Sequence, residues 1–594
     1  MTDFQNPQQD PGLERRLLLV FALTFLVILA LQPLLMKKVL PQQPKGPEKK
    51  TTQTAPPVSQ PPAPEAAAPA TAVQPARKGK RHRGAAAAAE KPAEPSREAG
   101  QETATVIEND LYRIEFTNKG GQVKSWILKK QTDDKGKPLD LVNPEGSSFG
   151  LPMSLWTYDE SLRNRLNNSL YVASQTGTLQ APATITFEYA NSDLTVSKTF
   201  RFDHTYVVKV ETAVVYKGAA TAAFPAWPAG FGDQTTPSSY GSARIAWQYN
   251  EKIQRDKAKS VSGGGTISGP FHWAGVEDQY FGAVFIPDHP ETSAMVTLRS
   301  TVEIPKDSEH PNPNETTKEE LLGAAVGSAQ GPTTERVFVG PKAVNFLESV
   351  HVANGDLRGL IDFGFFGIIA RPLFIWLRWM QQHWVSNWGW AIALQTLIIT
   401  VLLLPLRISS MKSSLKMQKA APQIKAIQEK YKKYSMRDPR RQQMNQEIGD
   451  LYKKEGVNPV GGCLPLLIQM PFLIAYYAML EVAIELRHAP WLWIHDLSSP
   501  DPWHLLPILI IVSTLFVQRM TPAAGMDPTQ QKMMNLMMPL FLGVISWNLA
   551  AGLCVYWVLS NGIGIAQQAV MNRTELGREM RAEMEKRARK KAKV

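Results

Sequence analysis

Gln395, Thr396, Thr400 and Arg407 are polar side chains set into apolar sequence, and Gln469, Tyr476, Tyr556 and Ser560 repeat the pattern further along. Thr396, Thr400 and Arg407 are spaced i, i+4, i+11, which puts them along one face of a helix. Gln469 and Tyr476 are two turns apart on another face, and Tyr556, Ser560 and Gln567 again follow i, i+4, i+11. Ser513, Thr514 and Gln518 form a fourth set. Such groups inside hydrocarbon lower the cost of holding another polar group there. A single one is explained by hydrogen-bond glue between helices. Four sets together point to a shared hydrophilic cavity. No Ser/His/Asp arrangement, metal-ligand spacing or glycine-rich phosphate loop stands out, so no cofactor, metal or enzyme chemistry is expected.

The elements that must position these residues are long apolar runs. The mean hydropathy of −0.20 over 594 residues averages strongly segregated sequence. Residues 17–36 are a charge-free 20-mer behind Arg15-Arg16. Twenty helical residues rise about 30 Å, the thickness of the hydrocarbon core. With no small-residue cleavage site, the segment reads as an uncleaved anchor. Further spans are expected at 388–406, about 462–482 and about 503–520. Between Lys532 and Arg573 there are 40 uncharged residues. As one helix they would rise about 60 Å, twice a bilayer, so the chain must turn back, at 546–554. The sum is six transmembrane helices. Residues 359–380, apolar but carrying Asp362, Arg371 and Arg378, suit a helix lying in the interface plane. Trp384, Trp388 and Trp390 mark a headgroup-level belt.

Charge sets the orientation. From Ile408 to Asn458 there are 12 Lys/Arg against 5 Asp/Glu, and from Met571 to the end 9 against 4. Both segments belong on the cytoplasmic side, with both termini, and both are also footprints for anionic lipid headgroups or RNA. The domain plan follows: a cytoplasmic N-terminus (1–16), the anchor (17–36), a Pro/Ala-rich linker (37–102), a β-domain (103–345), an interfacial region (346–385), a helical core (386–572) and a basic tail (573–594). The linker's 12 prolines and alanine runs cannot bury a core. In the β-domain Tyr112/Ile114/Phe116, Ile185/Phe187/Tyr189 and Val208/Val210/Val214 alternate with polar neighbours, as half-buried antiparallel strands do. Residues 409–457 read as a basic helical hairpin with a thin apolar stripe (Leu415, Met417, Ile424, Ile427). Asp438 is its expected N-cap before Pro439, and Gly456 its C-terminal stop. Cys463 and Cys554 fall in apolar runs and read as packing.

The stretches "NPVGGCLPLLIQMPF" (458–472), "ELRHAPWLWIHDLSSPDP" (485–502), "DPTQQKMM" (527–534) and "GLCVYWVLSN" (552–561) resemble the YidC membrane protein insertase family. They are long, correctly ordered and correctly spaced, and the resemblance is strong over 345–575. It implies an inner-membrane insertase and chaperone whose five C-terminal spans enclose a hydrophilic groove open to cytoplasm and lipid. It also implies a periplasmic β-supersandwich largely dispensable for insertion, a hairpin needed for activity and a tail that approaches ribosomes. Nascent membrane-protein clients, the ribosome, the Sec translocon and anionic lipids are the implied partners. Thr396 and the Tyr556–Trp557 pair fall at the family's substrate-contact positions, Trp557 replacing a common tyrosine. Five residues before Pro405 the family usually carries an arginine; this chain has Thr400. The expectation is therefore that groove polarity matters more than one mid-groove charge, with Arg407 supplying charge about 10 Å away on a straight helix. The competing reading, a secondary transporter for a small solute, would call for inverted repeats and paired broken helices, which five spans with a hairpin do not provide.

Overall fold

The computed structural model describes residues 96–306, 312, 314–353, 355–434, 438–456, 464–520, 528–575, 577–579 and 582. The expected anchor, nearly all of the linker, the turn at 458–462, Cys463, most of the tail and the side chain of Gln469 lie outside them.

Three sheets build the β-domain. The first orders strands Pro138–Asp140, Gln122–Thr132, Tyr112–Thr117, Ala104–Glu108 and Gly177–Gln180. The second is ten-stranded and runs from Lys252–Lys257 at one edge to Val172–Ala173 at the other. The third joins Thr266–Ser268, Ser293–Pro305, Thr316–Ser328, Phe224–Trp227 and Ser154–Trp156. The alternating triplets named above all point inward and are buried. Phe116 carries the first sheet onto the second, its ring 5.0 Å from that of Phe200, while Trp126 meets Trp227 of the third edge-on at 5.9 Å. The chain already pairs with the second sheet at Arg97, whose N–H donates to Ala190 O at 2.8 Å, ahead of residue 103. The glycine-rich stretch at 262–269 contains the edge strand Thr266–Ser268.

One buried amine organises the first two sheets. Gly120 and Gly121 both take positive φ (66° and 55°), which turns their carbonyls inward. Lys198 Nζ donates to both, at 3.0 and 2.7 Å, and to Met153 O at 2.5 Å. Three acceptors use all three N–H groups of an ammonium.

Beyond the β-domain come eight described helices: α1 (Gly367–His383), α2 (Trp388–Leu402), α3 (Leu404–Lys430), α4 (Arg440–Lys454), α5 (Leu464–Val482), α6 (Leu505–Met520), α7 (Pro528–Ser546) and α8 (Ala551–Met571). The turn expected at 546–554 lies between Ser546 and Ala551. No single described helix is long and apolar enough to cross a membrane; one bent pair, Trp388–Leu402 with Leu404–Met417, passes that test together, bent by 47°. The helix expected over 359–380 starts only at Gly367, because Asp362 is drawn back to the β-domain, 3.0 Å from Arg244 Nη1. The hairpin is present as α3 and α4, with Ala420 and Ile424 packed on Ile448, Leu451 and Tyr452. Its N-cap shifts by one: Pro439 occupies the cap and Asp438 accepts from Arg440 N–H at 3.0 Å. Gly456 ends it at φ 58°. Cys554 is a buried free thiol.

Candidate functional site

Two layers of polar side chains cross the helical core. In the first, Gln395 is fully buried; its Nε2 donates to Leu373 O at 2.9 Å, and its Oε1 accepts from the Tyr476 hydroxyl at 3.0 Å. The Tyr476 ring stacks on that of Tyr556 at 4.1 Å. This layer joins α1, α2, α5 and α8 and is closed to water. Thr396 lies beside it, also fully buried.

The hydroxyl stripe expected along α2 is not a polar wall. Thr396 Oγ1 donates to Ile392 O and Thr400 Oγ1 to Thr396 O, both at 2.7 Å. Each hydroxyl folds back onto its own helix four residues earlier, the usual refuge of Ser and Thr where water is absent. Periodicity identifies the face a residue occupies; it does not say where the hydroxyl proton goes.

The second layer forms where α2 breaks. Pro405 lacks an N–H and stands in the first turn of α3, so the chain bends at Leu403 and Arg407 is not on α2's straight continuation. Leu403 N–H caps the carbonyls of Ile399 and Val401 at the end of α2, and a side chain reaches in to another carbonyl of this last turn. That side chain is Gln567 of α8, its Nε2 donating to Thr400 O at 3.2 Å. Its Oε1 accepts from Arg407 Nη1 at 2.9 Å. Gly564, one turn earlier, makes room: a Cβ there would stand 2.9 Å from Arg407 Nη1. The guanidinium therefore reaches back to the level of Thr400. Among the described residues it makes no ion pair.

On the α6 side, Asn561 Nδ2 donates to Ser513 Oγ at 3.0 Å and Thr514 Oγ1 at 3.2 Å. Asn561 carries no role in the sequence reading. Trp557 and Ser560 are half-buried on α8, and Gln469 sits on α5 by its backbone alone.

The loop between α5 and α6 also went without a role, although it holds the longest motif. Asn387 caps α2, accepting from Gly389 N–H, and donates to Pro490 O at 2.8 Å. Gly389 lies directly under Trp491, with no room for a Cβ. Ala551 and Gly552 N–H, at the start of α8, donate to Ser499 O and Leu497 O at 2.7 and 2.8 Å. Asp501 accepts from Leu506 N–H at 2.7 Å and from Trp493 Nε1 at 3.1 Å, capping α6. The same loop meets the β-domain, where His488 Nδ1 is 2.8 Å from Thr132 Oγ1 and His488 Nε2 is 3.6 Å from Asp134. Asp134 is held below the usual carboxylate range, chiefly by its hydrogen bond to His488 and then by Arg487. One loop thus staples three helix ends and docks the β-domain on them.

A β-rich domain docked on a helical bundle crossed by two polar layers, one holding Arg407, is matched by the models of a class of inner-membrane proteins with a periplasmic domain. Residues 379–578 match the family described as 60Kd inner membrane protein, and residues 104–377 match the YidC periplasmic domain. The membrane protein insertase YidC of Geobacter sulfurreducens is 32% identical over 485 residues, covering 78% of this chain and 85% of that one. That of Cupriavidus necator is 33% identical over 489 residues, covering 79% and 82%. A crystal structure of an active YidC insertase with its first transmembrane domain resolved covers 81% of this chain and 95% of its own, at 19% identity and a TM-score of 0.33. The chain belongs to the YidC membrane protein insertase family.

Proposed function

We propose that this chain inserts client transmembrane segments into the inner membrane, and that Arg407 is the group that receives a client's polar tail on the way. One observation carries the second half: the guanidinium is held in the core by the neutral amide of Gln567, so its charge remains available to an anionic partner. A charge at the bilayer centre costs about 2.5–3.5 kcal/mol on insertion scales. Pairing an acidic tail with Arg407 removes part of that cost without ATP, after which the client's apolar helix can leave along α2 and α8 into lipid. Gln395, Thr396, Thr400 and Tyr476 serve as the closed wall above this centre. Gln469, Tyr556, Trp557 and Ser560 complete the client path.

The same reading takes the chain as six-spanning, with both termini in the cytoplasm and the β-domain in the periplasm. The basic hairpin and tail contact the ribosome and anionic lipids, and the chain works alone or beside the Sec translocon. The relatives are insertases, which gives a small-solute transporter no support.

The test is insertion of a single-span client into liposomes holding only the purified protein. Arg407→Gln should slow a client with an acidic translocated tail about tenfold or more, 1.4 kcal/mol being tenfold, and spare one with a neutral tail. The triple change Gln395→Leu, Thr396→Val, Thr400→Val should act equally on both clients. This reverses the order expected from sequence, because the threonine hydroxyls are already satisfied by their own helix. Equal insertion of the two clients by Arg407→Gln would rule out the role given to the charge.

A further inference from the structure

A cavity lies between α1 and the segment 344–363 that leads into it from the β-domain. Its volume is about 300 Å³, and its walls include Arg358, Arg371 and Arg378 together with Phe363, Ile375 and Trp379. That volume is at the small end of ligand sites and fits a headgroup. Arg371 and Arg378 are seven residues apart on α1, two turns on one face, about 10 Å along the axis. Neither makes an ion pair among the described residues. Arg358 is different: it bonds Asp356 at 2.8 Å and Glu348 at 3.3 Å, so the two acids at this end are already engaged. Glu485 feels the charge of Arg378 without forming an ion pair with it.

The surface beside the cavity is apolar and uncovered. α1 buries Ala370, Leu373, Phe374, Leu377 and Met380 against the core. Its other flank leaves Ile368 86% exposed and Ile375 59% exposed, one turn on either side of Arg371. A free anion would use the arginines and leave this ridge in water. A phospholipid uses both, with phosphate at the arginines and acyl chains along the ridge.

We propose that this cavity holds the headgroup of an anionic phospholipid, its phosphodiester bridged by Arg371 and Arg378. The proposal rests on the membrane placement given under Proposed function. It concerns the end of the bundle that carries the β-domain, opposite the basic hairpin, and so names a lipid site separate from the cytoplasmic ones.

Full-length protein is reconstituted in mixed anionic and zwitterionic phospholipid, extracted in mild detergent and weighed intact by native mass spectrometry. The wild type should retain one anionic phospholipid. Arg371→Gln and Arg378→Gln should each weaken retention about tenfold, one charge-assisted hydrogen bond's worth. Arg407→Gln should leave it unchanged, and inorganic phosphate added at millimolar levels should not displace the lipid. Equal retention by the arginine variants, equal retention of zwitterionic lipid, or displacement by phosphate each overturns the proposal. Should a variant fold poorly, Arg371→Lys, which keeps charge but loses the bidentate fork, should bind with intermediate strength; retention equal to wild type would again overturn it. Liposome insertion is read separately, so a chain that holds lipid but inserts nothing refutes the proposed function and leaves this site standing.

Discussion

The β-domain and the helical core handle apolar and polar groups in opposite ways. In the β-domain the large side chains are inside, and the exceptions on its surface are scattered residues such as Phe149 and Tyr249. In the core, whole helix faces stay open: Val544 is 72% exposed and Leu402 69%. Buried polar groups differ as sharply. The β-domain buries an amine and satisfies it with three carbonyls drawn from two distant turns. The core buries threonine hydroxyls that bond their own helix, and amides, Gln395 and Gln567, that each bridge two other helices. The β-domain thus meets its buried polar group with main-chain carbonyls of its turns, while the core uses side-chain amides to tie helices together and leaves its outer faces apolar. Patches of this size in a water-soluble protein would drive association.

The largest expected effect comes from breaking the β-domain's side of this contrast. Lys198→Met leaves three inward carbonyls without a donor and should cost the β-domain about 3 kcal/mol or more. Proteolysis of the full chain in detergent should cut the β-domain much faster, with liposome insertion little changed. Loss of insertion with an intact helical core would mean the two regions are not energetically separate. Next, Gln395→Leu orphans the Tyr476 hydroxyl inside the helical core. Membrane hydrogen bonds of this kind are worth about 1–2 kcal/mol, so the melting of the core should drop by a few degrees while the β-domain is untouched.

Gly564→Ala tests position without changing polarity. The new methyl stands against the tip of a flexible arginine, so folding should be nearly unaffected while the guanidinium shifts off Gln567. Insertion of an acidic-tailed client should fall about threefold, a fraction of a kcal/mol; an unchanged rate with a displaced arginine would weaken the case for its placement. The smallest effect is at the seam between the regions. The folded-state pKa of Asp134 is depressed, so the stability it lends is present above the ordinary carboxylate value and is lost as pH falls through the folded one. Hydrogen exchange in the loop around His488 should rise modestly as pH drops below about 4 and should be pH-insensitive in Asp134→Asn. A rise toward alkaline pH instead would assign the seam to another group.

Much of the fold is legible in the sequence for reasons specific to each part. Tyr112, Ile114 and Phe116 alternate because one face of their strand is buried, and the reversal before Ala551 follows from 40 uncharged residues being twice too long for one crossing. The site is legible only in outline. Thr396 and Thr400 are on the face that spacing gives, yet their hydroxyls bond their own helix. Arg407 is offset by a proline break whose bend depends on tertiary packing. Asn387, His488 and Asp501 act through loop geometry, which has no period to read.

The staple at the outer helix ends makes the bundle a lever. With α8 held at Gly552 and α2 at Gly389, any widening has to be a splay about those points. Gly564 is twelve residues down α8 from Gly552, an arm of about 18 Å. A rotation of about 10° at the staple would move it by about 3 Å over that arm, enough to part Gln567 from Arg407. Small strains at the stapled pivot are therefore magnified at the charged end.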